Sequence, residues 1–167
     1  MRILKLLVVL LWLPTVVFSQ NVGNFHFKSV DGKRVALKTM LDKGPVVLTF
    51  WATWCKPCHK ELAALKTIQK KYEKQGLNIL AISQDSPRSL SKVKSFVKRN
   101  KLPYTILLDP NGEQSSKLFV KNIPYLLLAN STGKVVYSHQ GYRKGDEKEL
   151  DHKIAELFKK QREKTGE

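Results

Sequence analysis

One junction constrains this chain more than any other part of it. Val46-Val47-Leu48-Thr49-Phe50-Trp51 runs without a charge, and Cys55-Lys56-Pro57-Cys58 follows after a short gap. A continuous, mostly apolar run of this length, rich in β-branched and aromatic residues, predicts a central strand buried on both faces. Beyond the cysteines, Leu62, Leu65, Ile68, Gln69 and Tyr72 keep helical spacing until Gly76, which predicts a helix opening at the cysteine pair. A helix N-terminus offers free N–H groups and partial positive charge. Both stabilise a thiolate on Cys55 and lower its pKa. Cys58 lies about one turn deeper, where it can close a disulfide. Pro57 suits the first turn, in which no N–H partner is lost. Cys-x-x-Cys in this setting reads as a redox dithiol.

The chain has 167 residues and only those two cysteines. An exported domain stapled by disulfides carries more cysteines at wider spacing, so this pair is there to react. Export itself is read from the N-terminus. Arg2 and Lys5 precede the apolar run Leu6–Phe18, which is shorter than the roughly 20 residues of a spanning helix and is broken by Pro14. With Val17-Phe18-Ser19 after it, the segment predicts a secretory signal peptide over residues 1–19, cleaved before Gln20. An uncleaved membrane anchor is the alternative. Both place the domain, residues 20–167, outside the cytoplasm, periplasmic or otherwise, with possible association with the inner membrane through the N-terminus.

Lys and Arg number 30 against 14 Asp and Glu, a net charge of +16. The basic residues are spread over helical stretches such as Lys66–Lys74 and Lys92–Arg99, and no nucleic-acid motif accompanies them. Solvated helix faces are the expectation, with weak attraction to an anionic membrane second.

Elsewhere, Phe25–Lys28 and Arg34–Leu37 predict an N-terminal β-hairpin about Asp31-Gly32, and Leu77–Ile82 predicts a second buried strand. Ser86-Pro87 opens a helix to about Arg99, with Leu90, Val93, Phe96 and Val97 on one face. A strand over Tyr104–Leu108, a turn at Asp109–Gly112 and a short helix over Glu113–Phe119 come next. Tyr125–Ala129 and Val135–His139 pair through Asn130–Gly133, and a basic helix over Asp146–Lys164 turns Leu150, Ile154, Leu157 and Phe158 inward. One α/β domain follows, a central mixed sheet flanked by helices.

Phe50-Trp51-Ala52-Thr53-Trp54-Cys55-Lys56-Pro57-Cys58 resembles the thioredoxin superfamily, and within it the TlpA/ResA group of exported thiol–disulfide oxidoreductases. The resemblance covers nearly all of the mature chain, including a strand and helix inserted before a late proline. It implies a thioredoxin-like fold, a catalytic dithiol Cys55–Cys58, and Pro124 as a cis-proline facing it. It further implies that Ile123 presents backbone groups to a substrate, that Trp54 flanks the substrate site, and that Glu61 is the working acid. Thr49 stands where cytoplasmic thioredoxins carry a buried aspartate, Ala63 where many relatives have a helix-kinking proline, and Tyr125 replaces a common threonine. The implied partners are disulfide-bonded or dithiol proteins, with a membrane reductase restoring electrons. Cytochrome c maturation is a group-level expectation. No cofactor or metal is called for, and a monomer is expected.

Other readings of the same residues exist. Cys55-Lys56-Pro57-Cys58-His59 satisfies the c-type haem attachment pattern. Beyond the leader, however, Met40 is the only methionine and His26, His139 and His152 are scattered, so a second iron ligand is lacking. His59 is then expected on the surface. A peroxiredoxin needs Pro-x-x-x-Thr-x-x-Cys, but Leu48 and Ala52 hold those places. Glu61 could be a solvated acid favoured by the helix dipole. Trp51 and Trp54 could cap the core, Lys56 could be merely exposed, and Pro124 could be a trans proline opening a strand. The expected direction is reduction of substrate disulfides, with a disulfide-forming oxidant of the same fold as the alternative.

Overall fold

The structure, a computed structural model, describes residues 20–165, with side chains described as far as 163. The leader expected over residues 1–19 lies outside the described residues. In chain order the elements are β1 (His26–Ser29), β2 (Arg34–Ala36), α1 (Leu37–Leu41), β3 (Val46–Trp51), α2 (Lys56–Tyr72), β4 (Asn78–Ser83), α3 (Leu90–Asn100), β5 (Thr105–Leu108), α4 (Glu113–Lys117), β6 (Tyr125–Ala129), β7 (Val135–Gln140) and α5 (Asp146–Thr165). The strands form one seven-stranded mixed sheet in the order β2-β1-β5-β4-β3-β6-β7. β3, β4 and β5 run parallel at its centre, and antiparallel strands flank them.

All six residues of β3 are buried, which is what a strand covered on both faces requires. Alternation divides them. Val47 and Trp51 enter a core with Leu62, Leu65, Phe96 and Ile154, contributed by α2, α3 and α5. Val46, Leu48 and Phe50 enter the opposite core with Leu37, Leu41 and Leu118. By the same alternation Thr49 faces α2. Each fully buried side chain of this size stabilises by about 1.5–3 kcal/mol, so the strand that delivers the cysteines is among the best-anchored parts of the fold.

The expected hairpin forms, and β1 also pairs with the inserted strand β5. Several boundaries shift by a residue or more, and two of the shifts have a cause in packing. Leu37 does not extend β2 but starts α1, because Leu37 and Leu41, one turn apart, are both buried. Tyr104 precedes β5; its hydroxyl donates to the Leu62 carbonyl of α2 instead of its backbone joining the sheet. Gly44 and Gly76 mark a close approach between two turns. A Cβ on Gly44 would lie 2.5 Å from the Gly76 carbonyl oxygen, and one on Gly76 would lie 2.6 Å from that of Lys43.

Candidate active site

Cys55 caps α2. Its backbone is extended, its Sγ accepts from the Cys58 N–H at 3.3 Å, and Pro57 occupies the first turn. Cys55 and Cys58 form a disulfide with Cα atoms 5.3 Å apart. Cys58 is fully buried, whereas Cys55 keeps 4% exposure. Both cysteines are thus buried in the disulfide, Cys55 at the end of the helix and Cys58 inside its first turn.

The loop carrying Cys55 is tied to the end of β4. Asp85, buried, accepts from the Thr53 N–H at 2.8 Å, the Thr53 hydroxyl at 2.5 Å and the Ser83 hydroxyl at 2.9 Å. The Gln84 N–H donates to the Trp51 carbonyl at 2.8 Å. These bonds hold Thr53, two residues before Cys55, against the sheet. Asp85 was not singled out from sequence; the only trace is a Ser-x-Asp at the end of a buried strand.

Glu61 is not a solvated acid. It is 3% exposed, and its Oε2 accepts from the Thr49 hydroxyl at 2.5 Å. Burial pushes its carboxyl from 4.5 up to about 7; the Thr49 bond opposes that rise and the Asp146 charge adds to it. Glu61 lies three residues after Cys58 on α2, so the two share a face. Burial, with the nearby Glu61 charge, also pushes the Tyr104 phenol up.

The Ile123–Pro124 peptide is cis, and Pro124 is buried. The register pairs Phe50 with Tyr125, so Ile123 and Pro124 stand at the end of the sheet where β3 runs into the Cys55 loop. Ile123, half-buried, packs against the core containing both cysteines. The Pro124 carbonyl accepts from the Gly141 N–H at 2.8 Å.

The two tryptophans separate. Trp51 is fully buried and packs on Phe96 at 5.1 Å between centroids. Trp54 does not cap the core: it is 68% exposed beside Cys55. His59 departs from the surface placement expected for it. It is half-buried, its Nε2 lies 3.0 Å from the Thr53 carbonyl oxygen, and its ring packs on Phe96 at 4.5 Å. Lys56 is exposed. Among the described residues no group of three or more His, Cys, Asp or Glu side chains is placed to hold a metal, and no helix is long and apolar enough to cross a membrane.

Comparison with known proteins agrees with this arrangement. The sequence matches the AhpC/TSA family over residues 19–138. The thiol-disulfide oxidoreductase ResA of Bacillus thuringiensis subsp. konkukian is 34% identical over 122 residues, 73% of this chain and 69% of that protein. A solved structure from Chlorobium tepidum, described as a candidate thiol:disulfide interchange protein DsbE, superposes with a TM-score of 0.76 at 26% identity, covering 84% of this chain and 96% of that one. A thiol-disulfide oxidoreductase from Bacteroides fragilis shares the fold, with a TM-score of 0.70 at 24% identity over 83% of this chain and 99% of that one.

Proposed function

The chain belongs to the AhpC/TSA family, as a thioredoxin-like thiol–disulfide oxidoreductase, and from that premise we propose that it works outside the cytoplasm as a reductant of protein disulfides. The observation that carries the direction is the burial of Glu61, one turn along α2 from Cys58. A strong oxidant stabilises its reduced form, chiefly through a thiolate held at low pKa. Glu61, once ionised, is a like charge about one helical turn from Cys58, and it disfavours a thiolate there. That opposes the helix N-terminus and Lys56 and moves the couple toward reducing potentials.

Cys55 thiolate attacks one sulfur of a substrate disulfide, and the other substrate sulfur leaves as a thiolate. The mixed disulfide is resolved by Cys58. Its proton passes to the Glu61 carboxylate, its sulfur attacks Cys55 Sγ, and the second substrate thiol departs. Two electrons have moved to the substrate and the enzyme holds the Cys55–Cys58 disulfide. A membrane reductase returns the two electrons. Ile123, before the cis-proline, offers backbone groups to the substrate strand, and Trp54 flanks it. The protein acts as a monomer, held near the membrane by its N-terminus or released by cleavage before Gln20. Maturation of c-type cytochromes is the pathway class proposed for it, with the similarity to ResA in support.

Peroxide reduction is disfavoured at the same cysteine, because Leu48 and Ala52 supply neither the proline nor the hydroxyl of the peroxidase motif. Haem attachment is disfavoured because the structure bonds the two sulfurs to each other and engages His59 with Thr53. The deciding measurement is the reduction potential of Cys55–Cys58, by equilibration with a redox buffer. A value near about −270 mV, that of thioredoxin, is expected. One near about −120 mV, that of DsbA, would make the protein an oxidant.

A further inference from the structure

Between the Cys55 loop and α3 lies an open groove of about 740 Å³. Its near wall is Thr53 and Trp54, the residues that lead into Cys55. Its far wall is the face of α3 carrying Lys92, Ser95 and Arg99. Phe96 forms the floor: the His59 ring packs on it, tilted, with centroids 4.5 Å apart, and the Arg99 guanidinium carbon lies 5.9 Å from its ring centroid. Resting on the reading of Cys55 as the attacking sulfur, we propose that this groove binds an acidic, extended segment of the substrate protein adjoining its disulfide.

Charge selects the occupant. Lys92 and Arg99 are exposed, and among the described residues neither is paired with a carboxylate. The acidic side chain lining the groove is Asp85, buried, with its oxygens taken up by Thr53 and Ser83. The groove therefore carries two exposed positive charges, Lys92 and Arg99, against the single buried carboxylate of Asp85, and stays net positive. The Arg99 guanidinium lies over Phe96, 5.9 Å from the ring centroid, and its fork of N–H groups matches a planar carboxylate.

Geometry favours a polypeptide. Lys92 and Arg99 are seven residues apart, a rise of about 10 Å along a helix. An extended chain covers that distance in about three residues. A substrate sulfur that reaches Cys55 lays its flanking residues across Trp54, and those on the α3 side enter this groove.

The test uses two peptides with the same internal disulfide, one flanked by paired glutamates and the other by paired glutamines. The reduced full-length protein is compared with a Lys92→Gln/Arg99→Gln variant. Two exposed charge pairs correspond to a preference of about tenfold in kcat/KM for the acidic peptide, residing in KM and shrinking with salt. The preference is expected to collapse in the double variant and to survive in part in Arg99→Lys. No preference in the wild type, or an undiminished preference in the double variant, would overturn the proposal. So would a variant that loses binding to anionic phospholipid vesicles while keeping its peptide preference, since the patch would then serve a membrane. If the wild type reduces neither peptide nor a small uncharged disulfide, the redox reading itself fails. The groove is then decided by binding of the alkylated peptides, followed by tryptophan fluorescence: tighter binding of the acidic peptide supports it and equal binding overturns it.

Discussion

Glu61→Gln isolates the cost of burying a carboxylate beside the dithiol. In the folded protein the Glu61 carboxyl titrates at about 7, against 4.5 for an ordinary glutamate. Below pH 4.5 the folded and unfolded chains both hold the proton. Between 4.5 and 7 the unfolded chain gives it up while the folded chain keeps it. The folded state then binds more protons, so stability falls as pH rises through this window. Above 7 both states are ionised and the full cost is present. At about 1.36 kcal/mol for each pH unit between the two values, that cost is about 3 kcal/mol. Glutamine keeps an oxygen for the Thr49 hydroxyl and never ionises. The variant should therefore gain on the wild type by about 3 kcal/mol between pH 4.5 and 8, a difference in Tm of roughly 6–12 °C for a domain of this size. Urea unfolding of both proteins in the oxidised state, at intervals from pH 4.5 to 8.5, measures this directly. The cysteines do not titrate as a disulfide, and the remaining groups cancel in the difference. Stability curves that stay parallel across the range would refute the assignment of a buried, late-titrating acid. Under the proposed mechanism the same variant is also slower in disulfide turnover at neutral pH, because Cys58 loses its proton acceptor.

The inequality between the two sulfurs predicts opposite trapping. Cys58→Ser should accumulate persistent mixed disulfides with an oxidised protein substrate on a non-reducing gel, and Cys55→Ser almost none; trapping by Cys55→Ser would reverse nucleophile and resolver. Asp85→Asn replaces one accepting oxygen with a donor amide, so at least one of its three bonds to Thr53 and Ser83 is lost. A destabilisation of about 1–3 kcal/mol by urea unfolding is expected, with slower mixed-disulfide formation as the Cys55 loop loosens; unchanged stability and rate would remove Asp85 from the positioning of the loop.

How much of this was legible in the sequence follows the distance over which each feature is decided. The strand Val46–Trp51 and the helix beyond the cysteines were readable because each is specified by its own run of residues: an unbroken apolar stretch, and apolar side chains three or four apart. The cis peptide before Pro124 was readable from the family resemblance, with local support from an isoleucine–proline pair that follows a loop and opens an apolar strand. α1 was hidden because it is five residues long, and Leu37 and Leu41 fit a strand extension until both are seen packed in one core. His59 and Asp85 were misread or missed for a different reason. Their environments depend on partners supplied by folding: Asp85 meets Thr53 from 32 residues away, and His59 meets Phe96 from α3. No local pattern encodes either meeting.

Thr49 and Glu61 show what the structure adds to a departure that the sequence had registered. Taken alone, a threonine where relatives carry a buried aspartate reads as the loss of an acid from the central strand. The alternation of β3 turns Thr49 toward α2, and Glu61 comes down from that helix to meet it at 2.5 Å. The buried acid of this pair is therefore carried by the helix and the hydroxyl by the strand. An aspartate at position 49 would set two carboxyls within hydrogen-bonding distance in a pocket with little solvent, and two such charges cannot both ionise without a large penalty. A hydroxyl avoids this, because it can donate to the carboxylate and also accept from the protonated acid. Glu61 can thus keep Thr49 as its partner in either protonation state. Because Glu61 and Cys58 share one face of one helix, the acid and the sulfur it is proposed to serve keep their relation through any movement of α2 against the sheet. An acid on the strand would lack that coupling.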